Sequence, residues 1–176
     1  MKNFKDCILR WLEIEDSKEI LELINRNRMY LREFLPWLDD NTRLEHTEGY
    51  IRSTIEIRKS NGAPMFAIIC KGSIVGLVGF HQLNNDHQMG SIGYWLSQDH
   101  MGYGIMTEAV RSVVDLGFKD LGLNRIEIRC ASENTASQGV PHRLGFEYEG
   151  TLKQAENLYG RYVDHMLFAK LKQDWA

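Results

Sequence analysis

The sequence predicts a mixed α+β (α/β mixed) domain: a central, mostly antiparallel sheet of six to seven strands flanked by about four helices. Three observations predict it. Residues 64–96 read as an antiparallel meander of three strands. A strand, a glycine-rich turn and an amphipathic helix then follow one another directly between Ile92 and Leu121. Finally, Arg125–Cys130 alternates as a strand after that helix, and a strand reached through a helix pairs with its predecessor as a parallel crossover.

Taken in order, Cys7–Leu12 has strand composition, and Asp16-Ser-Lys-Glu19 offers a capping arrangement for a helix bearing Ile20, Leu21, Leu23 and Ile24. Residues 28–41 include Met29, Tyr30, Leu31, Phe34, Leu35, Trp37 and Leu38, too apolar for an exposed linker, and Pro36 interrupts them. They pack in the core, with a substrate-side wall or dimer face as the functional alternative. Thr42-x-x-Glu45 is a capping box for a second helix that places Tyr50, Ile51, Thr54 and Ile55 on one side and ends near Asn61-Gly62. Pro64–Cys70 and Ser73–Phe80 form a hairpin over Lys71-Gly72, and Asn84-Asn85-Asp86 turns the chain into a strand ending at Leu96. Gly76 and Gly79 inside a strand mark a bulge or close packing.

The turn Met101-Gly102-Tyr103-Gly104-Ile105-Met106-Thr107 comes next. Its small residues let backbone N–H groups approach an anion at a helix start that carries partial positive charge. No Gly-Lys-Ser/Thr triplet closes it, which argues against a nucleoside-triphosphate hydrolase, and Thr107 stands where a dinucleotide fingerprint needs a third glycine. In the helix that follows, Met106, Ala109, Val110, Val113, Val114, Gly117 and Phe118 recur at helical spacing, and Gly122 suits its end. Asn134 is the natural cap of a short helix bent by Gly139 and Pro141. Phe146–Glu149 and Tyr162–Phe168 are two further strands, joined through a hairpin turn at Asn157–Gly160.

Length and composition bound the function. At 176 residues, 43% hydrophobic and 26% charged, the chain suits one domain over residues 1–176 with its core about 7–171. A net charge of -3 and a pI near 6.1 argue against a nucleic-acid partner. No apolar run approaches the roughly 18 residues of a membrane span, and the first residues lack the apolar stretch of a signal peptide. A cytoplasmic protein without membrane partners is expected. Cys7, Cys70 and Cys130 lie in apolar runs at no metal-ligand spacing and read as buried, reduced thiols; the histidines are scattered, so no metal is expected.

Gly93-Tyr-Trp-Leu-Ser97, the Gly-x-Gly turn, Leu123–Cys130, Asn134-x-x-Ser137, Val140–Phe146 and Tyr162-Val-Asp-His165 together resemble the GNAT acetyltransferase superfamily, from about Cys7 to Leu171. Within it they are similar to the branch that includes ribosomal-protein N-terminal (RimJ/RimL-type) acetyltransferases. The resemblance implies a sheet splayed between its fourth and fifth strands. It implies that acetyl-coenzyme A (acetyl-CoA), the co-substrate, seats its pyrophosphate on the turn at 101–107 and lays its pantetheine arm between the splayed strand ends, bonding main chain at Leu96 and Ser97. Asn134 then contacts the arm and Ser137 faces the thioester sulfur. Glu156, on the segment after the sixth strand, is the general base. Family habit adds a homodimer. The chain departs from the pattern at Asp99, where Gln or Arg is frequent, at Tyr103, where this branch often has Lys, and at Pro141, where many members carry a tyrosine general acid. The first two changes remove donors or positive charge near phosphate.

The implied reaction is direct attack of a primary amine on the acetyl thioester in a ternary complex. An α-amine with a pKa of about 8 costs only about 1.4 kcal/mol to deprotonate at pH 7, whereas a lysine near 10.4 costs about 4.6 kcal/mol. A protein N-terminal α-amine therefore needs only a modest base. Two alternatives stand beside this acceptor. One is a small amine such as a polyamine or aminoglycoside, with Glu147, Glu149, Glu156 and Asp164 attracting the cation. The other is a coenzyme A-binding protein that does not catalyse.

Overall fold

Strands of near-continuous apolar composition, such as 65–70 and 73–80, bury side chains on both faces of a sheet and must lie side by side to pair their backbone groups. In the computed structural model, which describes residues 6–60 and 62–175, seven do so: β1 (Cys7–Trp11), β2 (Met65–Cys70), β3 (Ser73–Asn84), β4 (Met89–Leu96), β5 (Arg125–Ala131), β6 (Glu147–Leu158) and β7 (Arg161–Leu171). They form one sheet in the order β1-β2-β3-β4-β5-β7-β6. Only the β4–β5 pair is parallel, as the intervening helix requires.

Four helices cover the two faces: α1 (Ser17–Arg32), α2 (Leu44–Lys59), α3 (Ile105–Lys119) and α4 (Thr135–Arg143). Val110, Val113, Val114 and Phe118 of α3 pack on Phe80, Ile92, Ile126 and Ile128 on one face. On the other, Ile20, Ile24 and Ile51 of α1 and α2 and Leu38 meet Ala67, Leu77 and Trp95. Strand β4 therefore gives Ile92 and Leu96 to the α3 side and Trp95 to the α1 side. None of the helices among the described residues is long and apolar enough to cross a membrane.

The central pair of strands parts early. β4 and β5 match only from Met89–Arg125 to Ile92–Ile128. Beyond that point β4 stays with β3 as far as Leu96 opposite Gly76, while β5 stays with β7 as far as Ala131 opposite His165. Each strand keeps its outer neighbour, and the space between them opens into a wedge.

Several sequence expectations need correction. Cys7 and Cys70 are not reduced thiols: the β1–β2 register sets them opposite one another with Cα atoms 4.1 Å apart, and they form a disulfide. Only Cys130 is free and buried among the described residues. Helix α2 starts at Leu44 with Arg43 as its cap, so the Thr42 box does not form; Thr47 instead donates to Asn41 Oδ1. Asn61, expected at the end of that helix, lies outside the described residues. Asp16 precedes α1 but spends its carboxylate on Arg10 and on the Glu13 N–H. The sixth strand is far longer than Phe146–Glu149 and includes Glu156.

Gly76 is where β3 approaches the end of β4 most closely. A Cβ there would stand 2.3 Å from the Trp95 carbonyl oxygen and 2.9 Å from Leu96 Cα, both backbone. Gly76→Ala is expected to destabilise the fold by about 2 kcal/mol through overpacking. Urea unfolding checks it, and an unchanged midpoint would contradict the close approach.

Candidate functional site

The wedge is the mouth of a cleft of about 550 Å³. Its walls come from α1 and the segment after it (Tyr30, Leu31, Phe34, Leu35), from the end of β4, from the turn at 101–107 and from α4 (Asn134, Ala136, Ser137, Val140, Arg143). Because these walls belong to both sides of the sheet, the cleft passes through it where β4 and β5 part.

The floor is main chain. Ser97 donates its N–H to the Val75 carbonyl at 2.8 Å, on the β3 side. Alternation along an antiparallel ladder then turns the Leu96 N–H to the opposite edge, where β5 has already left. That amide belongs to the cleft. Ser97 itself is buried, its carbonyl accepts from His100, its hydroxyl meets His100 Nδ1 at 2.8 Å, and it is not among the residues that line the cleft.

After β4, a short 3-10 turn at Gln98–His100 is tied to α1, where Asn27 Oδ1 accepts the Gln98 N–H at 2.9 Å. Gly102 and Gly104 follow with φ of 80° and 75°, a left-handed conformation that residues with a Cβ adopt only at a cost. Gly104 caps α3, and the first helical bond from that carbonyl is taken by Glu108. The N–H groups of Ile105, Met106 and Thr107 therefore lack helical acceptors at the positive end of a 15-residue helix. This is an anion seat, and Met101 through Thr107 all line the cleft.

Two side chains add what the turn lacks. Arg143, in the last turn of α4, reaches across to donate to Thr107 Oγ1 at 3.0 Å, bringing a guanidinium to the start of α3. Tyr94, from β4, is half-buried, and its hydroxyl donates to the Ser137 carbonyl at 2.9 Å while accepting from Ser137 Oγ at 3.2 Å. Burial above all, and then the nearby Cys130, hold the Tyr94 phenol well above its ordinary pKa, so it remains a neutral donor. Burial likewise raises the Cys130 thiol, whose sulfur lies 3.2 Å from Ser137 Oγ. Asn134 caps α4 by accepting the Ser137 N–H at 3.0 Å, which fixes where the serine points.

Glu156 is placed apart from this group. It does not line the cleft wall that holds Ser137; it shares a strand face with Leu158, which packs with Val163, Ala131 and Phe34 on the α1 side. Phe34 both lines the cleft and joins that cluster, so it connects the two regions. Residues 28–41 thus serve as core through Leu31 and Leu38 and as cleft wall through Tyr30, Phe34 and Leu35. Their course is held from the β6–β7 hairpin, where Tyr159 donates to the Leu35 carbonyl at 2.6 Å and Arg32 lies over the Tyr159 ring. The four carboxylates considered for cation binding do not converge. Glu149 is spent on Arg125 and Asp164 on Lys153. Sequence reading missed Tyr94 and Arg143; the only signal for either is a polar or charged residue within an apolar run bordering the wedge.

Comparison with known proteins agrees with this geometry. Residues 6–147 match the acetyltransferase (GNAT) domain family. The chain is 30% identical over 154 residues, 88% of its length and 86% of the relative's, to a ribosomal-protein-serine acetyltransferase of Escherichia coli strain K12. Among solved structures it superposes with a TM-score of 0.93 and 27% identity on RimL, a ribosomal L7/L12 alpha-N-protein acetyltransferase in complex with coenzyme A, covering 97% of this chain and 96% of that one. It superposes with a TM-score of 0.91 and 26% identity on the microcin C7 self-immunity acetyltransferase MccE in complex with acetyl-CoA and AMP, covering 97% and 95%. With its split sheet, its glycine-capped anion seat and this family match, the chain belongs to the GNAT acetyltransferases.

Proposed function

We propose that the chain transfers the acetyl group of acetyl-CoA to the α-amine of a protein N-terminus, with a ribosomal protein as acceptor. The observation that carries this reading is the cleft through the sheet. The donor enters on the α3–α4 side and the amine on the α1 side, past Phe34. Such an acceptor places the reaction in the cytoplasm. The Cys7–Cys70 bridge lies at the far edge of the sheet and contributes no wall to the cleft.

On this reading the diphosphate sits on the free N–H groups at the start of α3, with Arg143 supplying the positive charge that Asp99 and Tyr103 do not. The Leu96 N–H takes an amide carbonyl of the pantetheine arm as an added strand would, or polarises the acetyl carbonyl. Ser137, held by Tyr94 and by its own cap, hydrogen-bonds the departing sulfur. A thiolate leaves readily near neutral pH, so Pro141 in place of a tyrosine acid is tolerable. Glu156 accepts the proton of the incoming ammonium group, directly or through water.

Glu156→Gln is expected to lower turnover by about tens-fold or more, most severely at low pH where more of the amine is protonated, and to leave acetyl-CoA binding intact. Turnover unchanged from about pH 6 to 9 would remove Glu156 from the mechanism. Arg143→Ala is expected to weaken acetyl-CoA by about tenfold, roughly 1.4 kcal/mol, with a shallower salt dependence. Calorimetric titration reads both quantities, and equal affinity would contradict the phosphate role. A panel of N-terminal peptides, polyamines and aminoglycosides, assayed by free-thiol release, should single out the peptides. Preference for a polyamine would redirect the acceptor, and failure of every amine in the panel to release thiol would return the chain to a coenzyme A-binding role.

A further inference from the structure

The long strand β6 is interrupted opposite β7. Leu152 faces His165 and Glu156 faces Val163, so four steps along β6 match two along β7 and the extra residues form a bulge. The bulge is built rather than loose. Gln154 takes a φ of 50°, its N–H donates to Asp164 Oδ1 at 2.8 Å, and Lys153 Nζ holds Asp164 Oδ2 at 2.8 Å. Bulges redirect the side chains that follow them. Here the residue redirected is Glu156, whose Oε2 lies 3.2 Å from His165 Nε2.

His165 sits on β7 directly opposite Ala131, the last residue of β5, where that strand has already parted from β4 and borders the wedge. It shares one strand face with Val163, and hence with Ala131, Leu158 and Phe34 on the α1 side of the cleft. Both partners are largely covered, with side-chain exposures of 17% for His165 and 26% for Glu156. An ionised carboxylate offers only lone pairs, so the contact requires the hydrogen on Nε2. Donation from Nε2 fixes Oε2 and leaves Oε1 as the oxygen open to another donor.

We propose that His165 is a positioning residue for acetyl transfer, holding Glu156 so that Oε1 receives the amine proton. The inference rests on the reading of Glu156 as base given above. In the step it serves, a proton of the ammonium passes to Glu156 Oε1. The freed lone pair forms the C–N bond as the C–S bond breaks, and a second N–H proton ends on the departing thiolate, leaving coenzyme A thiol and the acetylated amine.

The test measures free-thiol release by the full-length chain, using whichever amine of the panel above is acetylated fastest. Four proteins are compared: His165→Leu, His165→Gln, Glu156→Gln and the Glu156→Gln/His165→Leu double variant. Melting temperature and acetyl-CoA affinity are measured alongside to confirm folding. His165→Leu is expected to lower kcat about tenfold with the KM for acetyl-CoA unchanged, the cost of a misdirected base. His165→Gln, which keeps an N–H at similar reach, is expected to recover most of that loss, and His165→Leu is expected to add nothing in the Glu156→Gln background. Full kcat in His165→Leu, no recovery in His165→Gln, or a further loss in the double variant would overturn the inference while leaving Glu156 as base. Full kcat in Glu156→Gln would instead remove the base itself, and the inference with it.

Discussion

The structure depends on how briefly β4 and β5 stay together. Four residue pairs are enough to join the two halves of the sheet, and the parting beyond Ile92 and Ile128 leaves backbone polar groups facing each other across a gap too wide for a ladder. Inside a protein, unpaired amides are costly, so such a gap persists only where something satisfies its edges. On the α3 side the space is occupied by Tyr94, Cys130 and Ser137, which hydrogen-bond one another. The remaining edge, at Leu96, suits a ligand that carries amides of its own.

The second constraint is electrostatic and local. The chain carries a net charge of -3, yet the start of α3 gathers the helix end, the uncommitted N–H groups and the Arg143 guanidinium in one place. Such a site suits a diphosphate without making the whole surface basic. In the proposed function, the charge that Asp99 and Tyr103 do not bring comes from Arg143 of α4 instead of from the turn.

What was legible in the sequence follows from range. The meander and α3 could be read because periods of two and of 3.6 residues are local properties, and the glycines of the turn because left-handed backbone favours glycine. Asn134 as the cap of α4 could be read for the same reason, while the roles given to the turn, Asn134 and Ser137 come from the family resemblance and belong to the proposed function. What failed is tertiary. The Cys7–Cys70 bridge needs β1 laid against β2 in one register, across a separation of 63 residues. That the Leu96 N–H and not the Ser97 N–H faces the gap depends on ladder parity, which sequence does not print. The bulge before Glu156 is invisible for a similar reason: Gln154 carries no mark of its positive φ, and Asp164 meets it only once β6 and β7 are paired.

Amide hydrogen exchange, with and without saturating acetyl-CoA, tests the central claim most directly. If the wedge and the start of α3 hold the donor through main chain, exchange should slow selectively at Leu96 and across residues 104–107, with β1, β2 and β7 little changed. Saturation without added protection at those amides would contradict the account.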